Sequence, residues 1–251
     1  MNISIIGSGN VATVFSVLAI KNSHTVHQII ARNETQGKIL ADKIGASFCA
    51  LNNNFDKGVD LFIVALSDNA FSTALKDIHF GDTPVFHTAG SVSMHVLKDN
   101  TKNYGVIYPL QSLRKEMEII PTIPLLIEAK NAQTLGLINS FAKTISNDVI
   151  EVAEDKRLRL HASAVLVSNF TNYLYGVAET FCKNENVDFN LLKPLIIETA
   201  ARIQTNSPLD VQTGPAIRKD ITTLEKHLRL FSAYPKLKTL YTRMTDSIID
   251  G

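Results

Sequence analysis

Two periodicities alternate along the first part of the chain and predict alternating strands and helices. Short apolar runs at Asn2–Ile6, Val26–Ala31 and Asp60–Leu66 are typical of β-strands, and the last is almost continuously apolar, as in a buried central strand. Between them, Asn10–Lys21 and Glu34–Ile44 place apolar residues three and four positions apart, which is the spacing of one helix face. This order predicts βαβ units and a parallel sheet.

The same two patterns continue as far as Val152. Further strands are predicted at Ser47–Ala50, Pro84–His87, Gly105–Tyr108, Ile123–Glu128 and Asp148–Glu151, and further helices at Asn69–Lys76 and Asn131–Thr144. The segment Gln111–Thr122 mixes charge and proline without a period, which predicts a loop. This loop either borders an active site or simply lies on the surface.

After Val152 no strand is predicted. Glu154–Lys183 contains no proline and one glycine, so it predicts a single long helix. Shorter helices are predicted at Leu191–Gln204 and from Ser207-Pro208, Asp220 and Pro235. We therefore predict an α/β domain with a mostly parallel sheet at residues 1–152 and an all-α domain at residues 153–251.

Composition excludes several classes of function. Residues are 45% hydrophobic and 20% charged, and 25 Lys and Arg against 24 Asp and Glu give a net charge of +1. A net charge this small does not attract the molecule to nucleic acid or to an anionic membrane. Cys49 and Cys182 lie far apart without zinc-ligand spacing, so neither a disulfide nor a metal site is expected. With no signal peptide pattern and no apolar run near the ~20 residues of a membrane span, we expect a cytoplasmic location.

A glycine motif opens the first predicted helix. Gly7-Ser8-Gly9-Asn10-Val11-Ala12 follows a strand directly and begins an amphipathic helix, the setting in which G-x-G-x-x-A binds dinucleotides. Gly7 permits the tight turn, and Gly9 lets the backbone approach a diphosphate. The open N–H groups at the helix start, around Asn10 and Val11, and the positive dipole end would bind it. The motif predicts a Rossmann-type domain; the alternative is a Rossmann-like domain for S-adenosylmethionine or for no nucleotide.

The residues at the end of the second predicted strand indicate which dinucleotide the protein binds. Proteins that bind NAD usually place Asp or Glu there, about 20 residues past the glycines, to accept hydrogen bonds from the ribose. Here the strand ends Ile30-Ala31-Arg32-Asn33. The guanidinium of Arg32 can form a forked, charge-assisted contact with a 2′-phosphate, which favours NADP. Alternatively, Arg32 is a solvated charge at a strand end.

Two more strand ends are expected to flank the cofactor, since ligands of open α/β sheets bind outside the carboxyl ends of strands. Leu66 and Ser67 follow the fourth strand, and Ala89 and Gly90 follow the fifth. We assign these four residues to cofactor binding. His87 at the end of the fifth strand is interpreted as a packed residue, with a role as a functional acid as the alternative.

Several segments together resemble one bacterial family. They are the glycine motif, Arg32, Tyr108-Pro109-Leu110-Gln111, the stretch from His161 to Phe170, and Thr213-Gly214-Pro215-Ala216-Ile217-Arg218-Lys219-Asp220. The chain resembles bacterial Rossmann-like proteins with a helical C-terminal domain of unassigned function, related to pyrroline-5-carboxylate reductase, deazaflavin-dependent NADP reductases and 6-phosphogluconate-dehydrogenase-like proteins. The resemblance covers essentially the whole chain and implies an NADP-dependent oxidoreductase whose helical domain dimerises.

The resemblance does not identify which reaction the protein catalyses. Hydroxyacid dehydrogenases of this superfamily carry Lys-x-x-Asn on the long helix, whereas Val165 and Leu166 precede Asn169 here without a lysine. The G-S-G-P-A segment of pyrroline-5-carboxylate reductases is also absent. Neither activity can be transferred from these motifs.

A polar line remains on the predicted long helix. On a helical wheel, His161, Ser168, Asn172 and Tyr175 lie within about a third of a turn, with Asn169 at the edge. We assign His161 as the acid/base, because an imidazole with a pKa near ~6.5 suits proton delivery at neutral pH, and Asn169 as the group that orients a carbonyl or imine. The alternative is a polar seam between helices or across a dimer.

The leading hypothesis is an NADP-dependent reductase or dehydrogenase that acts on a small carbonyl, imine or hydroxyacid. The alternative is a non-catalytic NADP-binding redox sensor or interaction protein, which the missing lysine suggests. An S-adenosylmethionine methyltransferase is a third hypothesis, although methyltransferases also need an acidic residue at the position of Arg32. We expect a small-molecule substrate and a homodimer formed through the C-terminal helices.

Replacing Arg32 tests the cofactor preference. The wild type is expected to bind NADPH at least about tenfold more tightly than NADH, and Arg32→Ala should remove most of that preference, because the charge-assisted contact to the 2′-phosphate is lost. Dissociation constants from calorimetric titration measure both effects. Equal wild-type affinities for the two dinucleotides would contradict the assignment of Arg32.

Overall fold

The computed structural model describes residues 1–52 and 54–251 in two compact units, Met1–Asn169 and Phe170–Gly251. The first unit contains an eight-stranded sheet with strand order β3-β2-β1-β4-β5-β6-β7-β8. The strands are β1 (Asn2–Ile6), β2 (Thr25–Ala31), β3 (Ser47–Ala50), β4 (Leu61–Val64), β5 (Val85–His87), β6 (Tyr104–Pro109), β7 (Leu125–Ala129) and β8 (Val149–Glu151). All neighbours are parallel except β6 and β7, so the predicted mostly parallel sheet is confirmed.

The strand order reverses at β1. From β1, the chain continues to β2 and β3 on one side and later returns to place β4 on the other side. The carboxyl ends of β1 and β4 therefore border the crevice in which open α/β sheets bind ligands. Here Ala65 N–H donates to the Ile6 carbonyl (2.7 Å) and Thr88 N–H donates to the Val64 carbonyl (3.1 Å), which keeps the ends of β1, β4 and β5 together.

Helices cover both faces of the sheet. They are α1 (Asn10–Lys21), α2 (Glu34–Ile44), the short α3 (Phe71–Ala74), α4 (Ala132–Ile145) and α5 (Glu154–Ala164). Alternate strand residues enter different cores: Ile5 packs in the cluster that includes residues of α1, α2 and α4, whereas Ile6 packs in the cluster that includes Phe71 of α3. Burial on both faces explains why these strands are apolar throughout.

Local signals set the helix boundaries. The Asn33 side chain accepts a hydrogen bond from the Gln36 N–H (3.0 Å) and caps α2, and Gly45 ends the helix in the left-handed conformation with φ +69°. Asn131 caps α4 in the same way through Thr134 N–H (2.9 Å). An Asn at the first position and a Gly at the last satisfy backbone groups that a helix leaves open, so the predicted bounds of α2 are confirmed.

The predicted helix Asn69–Lys76 is shorter than expected. A 3₁₀ turn at Asp68–Ala70 leads into α3, which ends at Ala74. The buried Asn100 side chain donates to the carbonyls of Leu75 (2.6 Å) and Ile78 (2.7 Å). Because this side chain takes carbonyls that a longer helix would use, a contact distant in sequence ends the helix early.

The single helix predicted at Glu154–Lys183 is wrong in its middle. Between α5 and α6 (Thr171–Asn184), residues Val165–Phe170 are π-helical. A π segment bonds each residue to the fifth along rather than the fourth, so a regular helical wheel does not hold across it. The polar line predicted from His161 to Tyr175 therefore does not follow one straight face.

The second unit contains α6 and three further helices, α7 (Lys193–Arg202), α8 (Ile221–Leu230) and α9 (Pro235–Asp250). The helix predicted from Ser207 is wrong, because that segment forms only turns, with Asp210 N–H donating to the Ser207 carbonyl (3.1 Å). Only Cys182, Ala216 and Leu224 are buried in this unit.

Among the residues described, no helix combines the length and apolar content of a membrane span.

Helix α5 belongs with the sheet. The compact units divide after Asn169, so α5 lies in the same unit as the sheet, and the expected domain boundary near residue 152 stays a prediction. The reason that α5 belongs with the sheet is Arg157, which is fully buried and forms an ion pair with Glu128 of β7, while its second guanidinium nitrogen donates to the Val92 carbonyl (2.9 Å). A buried cation requires such partners, so this contact holds α5 against the first unit.

His87 at the end of β5 is buried completely, as the packed interpretation expects. Its Nδ1 accepts a hydrogen bond from the Ala89 N–H (3.2 Å). Burial, and then the nearby charge of Arg157, lowers the pKa of His87 from 6.5 to about 3. The ring is therefore neutral at physiological pH and does not act there as an imidazolium acid.

The buried His87 predicts a specific loss of stability in acid. Its pKa is lower in the folded than in the unfolded chain, so protonation favours unfolding as the pH falls from about 6.5 towards 3. This group alone should lower the free energy of unfolding by about 2 kcal/mol between pH 7 and pH 5. His87→Asn, whose amide oxygen can replace Nδ1 as acceptor, should lose about that much less stability over the interval.

Urea unfolding at the two pH values measures the difference, and His79→Asn is the control because His79 is exposed. Equal losses of stability in wild type and His87→Asn would contradict the neutral, buried His87.

Candidate functional site

The turn between β1 and α1 depends on two glycines with different roles. Gly7 has φ +127°, and a Cβ there would collide with the backbone carbonyl of Ala65 at the end of β4. Its N–H donates to the Ile30 carbonyl (2.8 Å), so the turn is fixed to β2 as well. Gly9 is exposed, and a Cβ there would meet nothing within 4 Å. Gly7 is thus required by the fold itself, whereas Gly9 leaves open space in front of the helix.

The start of α1 has no cap. No side chain accepts a hydrogen bond from its first turn, and that turn contains no acidic residue. By contrast, Asn33 caps α2 and Asp220 caps α8. The N–H groups around Asn10 and Val11 lie at the positive end of the helix dipole, which is the chemistry that binds phosphate. This arrangement fits the diphosphate of a dinucleotide.

Arg32 is exposed directly after β2, one residue before the cap of α2. It makes no hydrogen bond or ion pair with another described residue. Its guanidinium is therefore available to an anion at the carboxyl edge of β2, beside the β1–α1 turn. The predicted position of Arg32 at a strand end is confirmed, and its contact with a 2′-phosphate stays a prediction.

The other four residues assigned to the cofactor follow β4 and β5, which are adjacent in the sheet. Leu66 is half-buried and Ser67 is exposed, while Ala89 and Gly90 are buried. They lie at the same edge as Gly7, because β1, β4 and β5 run parallel. The structure thus brings the predicted residues to one edge of the sheet, and their contacts with a cofactor stay a prediction.

His161 contacts a tyrosine at this edge. The hydroxyl of Tyr108, near the end of β6, lies 2.9 Å from His161 Nδ1, and the two rings meet edge to face with centroids 5.7 Å apart. Gly90 packs against both rings: a Cβ on Gly90 would lie 2.6 Å from His161 Nδ1 and 2.9 Å from a ring carbon of Tyr108. A glycine is therefore needed at residue 90 for the pair to form.

The electrostatic surroundings keep the tyrosine protonated. Burial, and then the negative charge of Asp68, raises the pKa of Tyr108. Asp68 accepts a hydrogen bond from the Ser91 hydroxyl, so the residues after β4 and β5 are also joined. A phenol that keeps its proton can donate it to a neutral imidazole nitrogen, and together Tyr108 and His161 can hold or move one proton.

Sequence reasoning placed Tyr108 in a family motif but not among the site residues. The rule that ligands bind at the carboxyl ends of parallel strands applies to β6 as it does to β4 and β5, and it could have found Tyr108. Only the fold brings His161, from a helix far along the chain, to this tyrosine.

Asn169, the second predicted catalytic residue, lies exposed in the π-helical segment Val165–Phe170. Single π turns occur often at functional sites, because they change the direction of side chains. Its predicted role in orienting a substrate stays a prediction. In the part of the chain that the structure describes, no three His, Cys, Asp or Glu residues are grouped so that they could hold a metal ion.

Comparison with known proteins finds a family match to the C-terminal half of the chain and a structural match to all of it. Residues 123–248 match the family described as a domain of unknown function (DUF2520), and no curated protein matches the chain. A solved structure from Bacteroides fragilis, named as a candidate NADP oxidoreductase, is 33% identical over 100% of this chain and 98% of its own, with a TM-score of 0.94.

More distant structures share the fold. A reductive aminase from Aspergillus terreus, solved with NADPH and ethyl-5-oxohexanoate, is 16% identical, with a TM-score of 0.70 over 99% of this chain and 98% of its own. A 1-pyrroline-5-carboxylate reductase from Streptococcus pyogenes is 15% identical, with a TM-score of 0.62 over 100% of this chain and 99% of its own. The expected Rossmann-like architecture with a helical C-terminal part is confirmed, and the chain belongs to the DUF2520 family.

Proposed function

We propose that this chain is an NADP-dependent oxidoreductase that transfers a hydride to or from a small carbonyl, imine or hydroxyacid. The observation that carries the proposal is the uncapped start of α1 with open space at Gly9, at the sheet edge where Arg32 is exposed. The 33% identical relative named for NADP supports the same cofactor.

The residues predicted for the cofactor have distinct roles in this proposal. Gly7 and Gly9 keep the turn tight and open, and the N–H groups around Asn10 and Val11 bind the diphosphate. Arg32 binds the 2′-phosphate through its guanidinium. Residues Leu66, Ser67, Ala89 and Gly90, after β4 and β5, border the remainder of the cofactor. When bound, the cofactor supplies or accepts the hydride.

The protein supplies the proton. We assign this step to His161 together with Tyr108, because their 2.9 Å contact lets one proton be shared between the phenol and Nδ1. With Tyr108 donating to Nδ1, Nε2 carries the ring proton and donates it to a substrate oxygen or nitrogen. Nδ1 takes the phenol proton in the same step, so the ring stays neutral and Tyr108 is left as a phenolate that solvent reprotonates. Asn169 orients the substrate carbonyl or imine in this scheme.

A non-catalytic NADP-binding redox sensor or interaction protein is the second candidate. One observation favours it: the π-helical segment Val165–Phe170 carries no lysine before Asn169, where related hydroxyacid dehydrogenases have their acid/base. Tight NADPH binding without turnover of any carbonyl, imine or hydroxyacid would support this candidate. Binding of S-adenosylmethionine in place of NADPH would support the methyltransferase reading instead.

Substitutions in the His161–Tyr108 pair test the proposed mechanism. In a panel of small carbonyls and imines with NADPH, the wild type should oxidise the cofactor, which is followed by its absorbance. His161→Ala should reduce kcat by about a hundredfold or more, and Tyr108→Phe should reduce it by about tenfold or more, because the shared proton is lost. NADPH affinity should change little in both variants.

A matched control exists on the opposite end of β6. His95 Nδ1 contacts the Tyr104 hydroxyl at 3.0 Å with the rings edge to face, but Tyr104 is the first residue of β6 and lies away from the carboxyl edge. His95→Ala should leave kcat within about threefold of the wild type. Turnover that survives His161→Ala unchanged would remove His161 from the mechanism.

We propose that the second unit, Phe170–Gly251, forms a homodimer with a second copy of the chain. Most of the large apolar side chains that the structure exposes lie there, including Leu191, Leu195, Ile197 and Leu209. A unit with three buried residues lacks a core of its own, and obligate homodimer interfaces are apolar in this way. Sedimentation of the purified chain should give a two-chain species, and a monomer at micromolar concentration would rule the dimer out.

A further inference from the structure

The segment Gln111–Thr122 is the loop between β6 and β7, and it is held firmly at its base. Leu110 N–H donates to the Pro124 carbonyl (2.9 Å), and the Gln111 side chain donates to the Thr122 carbonyl (3.2 Å). Leu113 is buried in the same core as residues of α1 and α4. The loop is therefore anchored in the core of the first unit through Leu113.

Beyond Leu113, the loop reaches the two helix starts of the dinucleotide fold. The backbone N–H of Lys115 donates to the side-chain oxygen of Asn10, the first residue of α1 (3.1 Å). The Lys115 ammonium donates to the side-chain oxygen of Gln36 in the first turn of α2 (3.2 Å). Gln36 in turn donates its N–H to Asn33, the residue after Arg32. Lys115 thus spans the gap between the glycine turn and the strand end that carries Arg32.

The charge of Lys115 is well suited to an anion. Its hydrogen-bond partner, Gln36, is a neutral amide, and no ion pair joins this ammonium to a carboxylate among the described residues. The carboxylate of the adjacent Glu116 is directed to Arg114 Nε (3.4 Å). A contact from an ammonium to a phosphate is charge-assisted and stronger than one to a neutral amide, so a phosphate would replace Gln36 as partner.

We propose that Lys115 is a second 2′-phosphate-binding residue, which acts together with Arg32 at the carboxyl end of β2. This inference rests on the proposed NADP-binding function and adds a specificity residue to it. The hydrogen bond between Asn10 and Lys115 ties the loop to the start of α1, so the β6–β7 loop becomes part of the cofactor site. In this arrangement, one cation comes from the strand end and the other from a segment far along the chain.

Titrations of Lys115→Ala with NADPH and with NADH test the inference without measuring turnover. NADPH affinity should fall by about tenfold and NADH affinity should stay unchanged, because only NADPH carries the phosphate. Lys115→Arg, which keeps the charge, should bind NADPH within about threefold of the wild type. Adenosine 2′,5′-bisphosphate, a fragment that keeps the 2′-phosphate, should show the same loss in Lys115→Ala.

Arg114→Ala is the matched control, since it removes the same charge from the same exposed stretch but from a side chain paired with Glu116. It should change NADPH affinity less than about twofold. Equal weakening of NADPH and NADH by Lys115→Ala would place the lysine on the diphosphate and overturn the proposed 2′-phosphate role.

Different results would overturn the role of Lys115 and the proposed NADP-binding function. Unchanged NADPH affinity in Lys115→Ala, with a wild type that binds NADPH, overturns only the role of Lys115. A wild type that binds neither dinucleotide overturns the proposed function and this inference together. Melting temperatures of the three variants, which alter exposed side chains, should stay close to that of the wild type and exclude misfolding as the cause.

Discussion

The close approach of Gly7 to the end of β4 is the constraint on which the site depends. A side chain at residue 7 would strike the Ala65 carbonyl, and the positive φ there is one that other residues rarely adopt. With this contact in place, the turn passes over the crevice between β1 and β4, and α1 begins there without a cap. The open amides at the start of α1 and the space at Gly9 belong to this turn, and Arg32 is exposed at the neighbouring end of β2.

A second constraint positions the proposed proton donor. Arg157 and His161 lie four residues apart on α5 and therefore on one face of the helix. Arg157 is buried against Glu128 and the Val92 carbonyl, so this face is held to the sheet and His161 meets Tyr108. A buried ion pair contributes little net stability, and its clearest effect here is to fix one position of the helix. Gly90 completes the arrangement by leaving room for both rings.

Much of the fold is predictable because local patterns and tertiary packing agree. The bounds of β1, α1, α2 and β3 follow from alternation, capping residues and Gly45. Prediction fails where a distant group intervenes, as when Asn100 ends α3, or where the helix type changes at Val165–Phe170. Gly7, Gly9, Asn10 and Val11 are recognisable because one short motif carries them, whereas Arg32, Leu66, Ser67, Ala89 and Gly90 are assigned to the proposed cofactor site because they follow strand ends. The pairing of Tyr108 with His161, and of Lys115 with Asn10, needs the folded chain, since no sequence pattern records contacts between such distant positions.

The most direct test of the account is calorimetric titration of NADPH into the wild type and Gly9→Val. A Cβ at residue 9 meets no atom within 4 Å, and the extended backbone there (φ −88°, ψ −165°) suits valine, so the variant should fold normally. The wild type should bind NADPH, and the variant should bind at least about tenfold more weakly, because its side chain would occupy the place proposed for the diphosphate. A wild type without affinity for NADPH, or a Gly9→Val variant with wild-type affinity, would contradict dinucleotide binding at the start of α1.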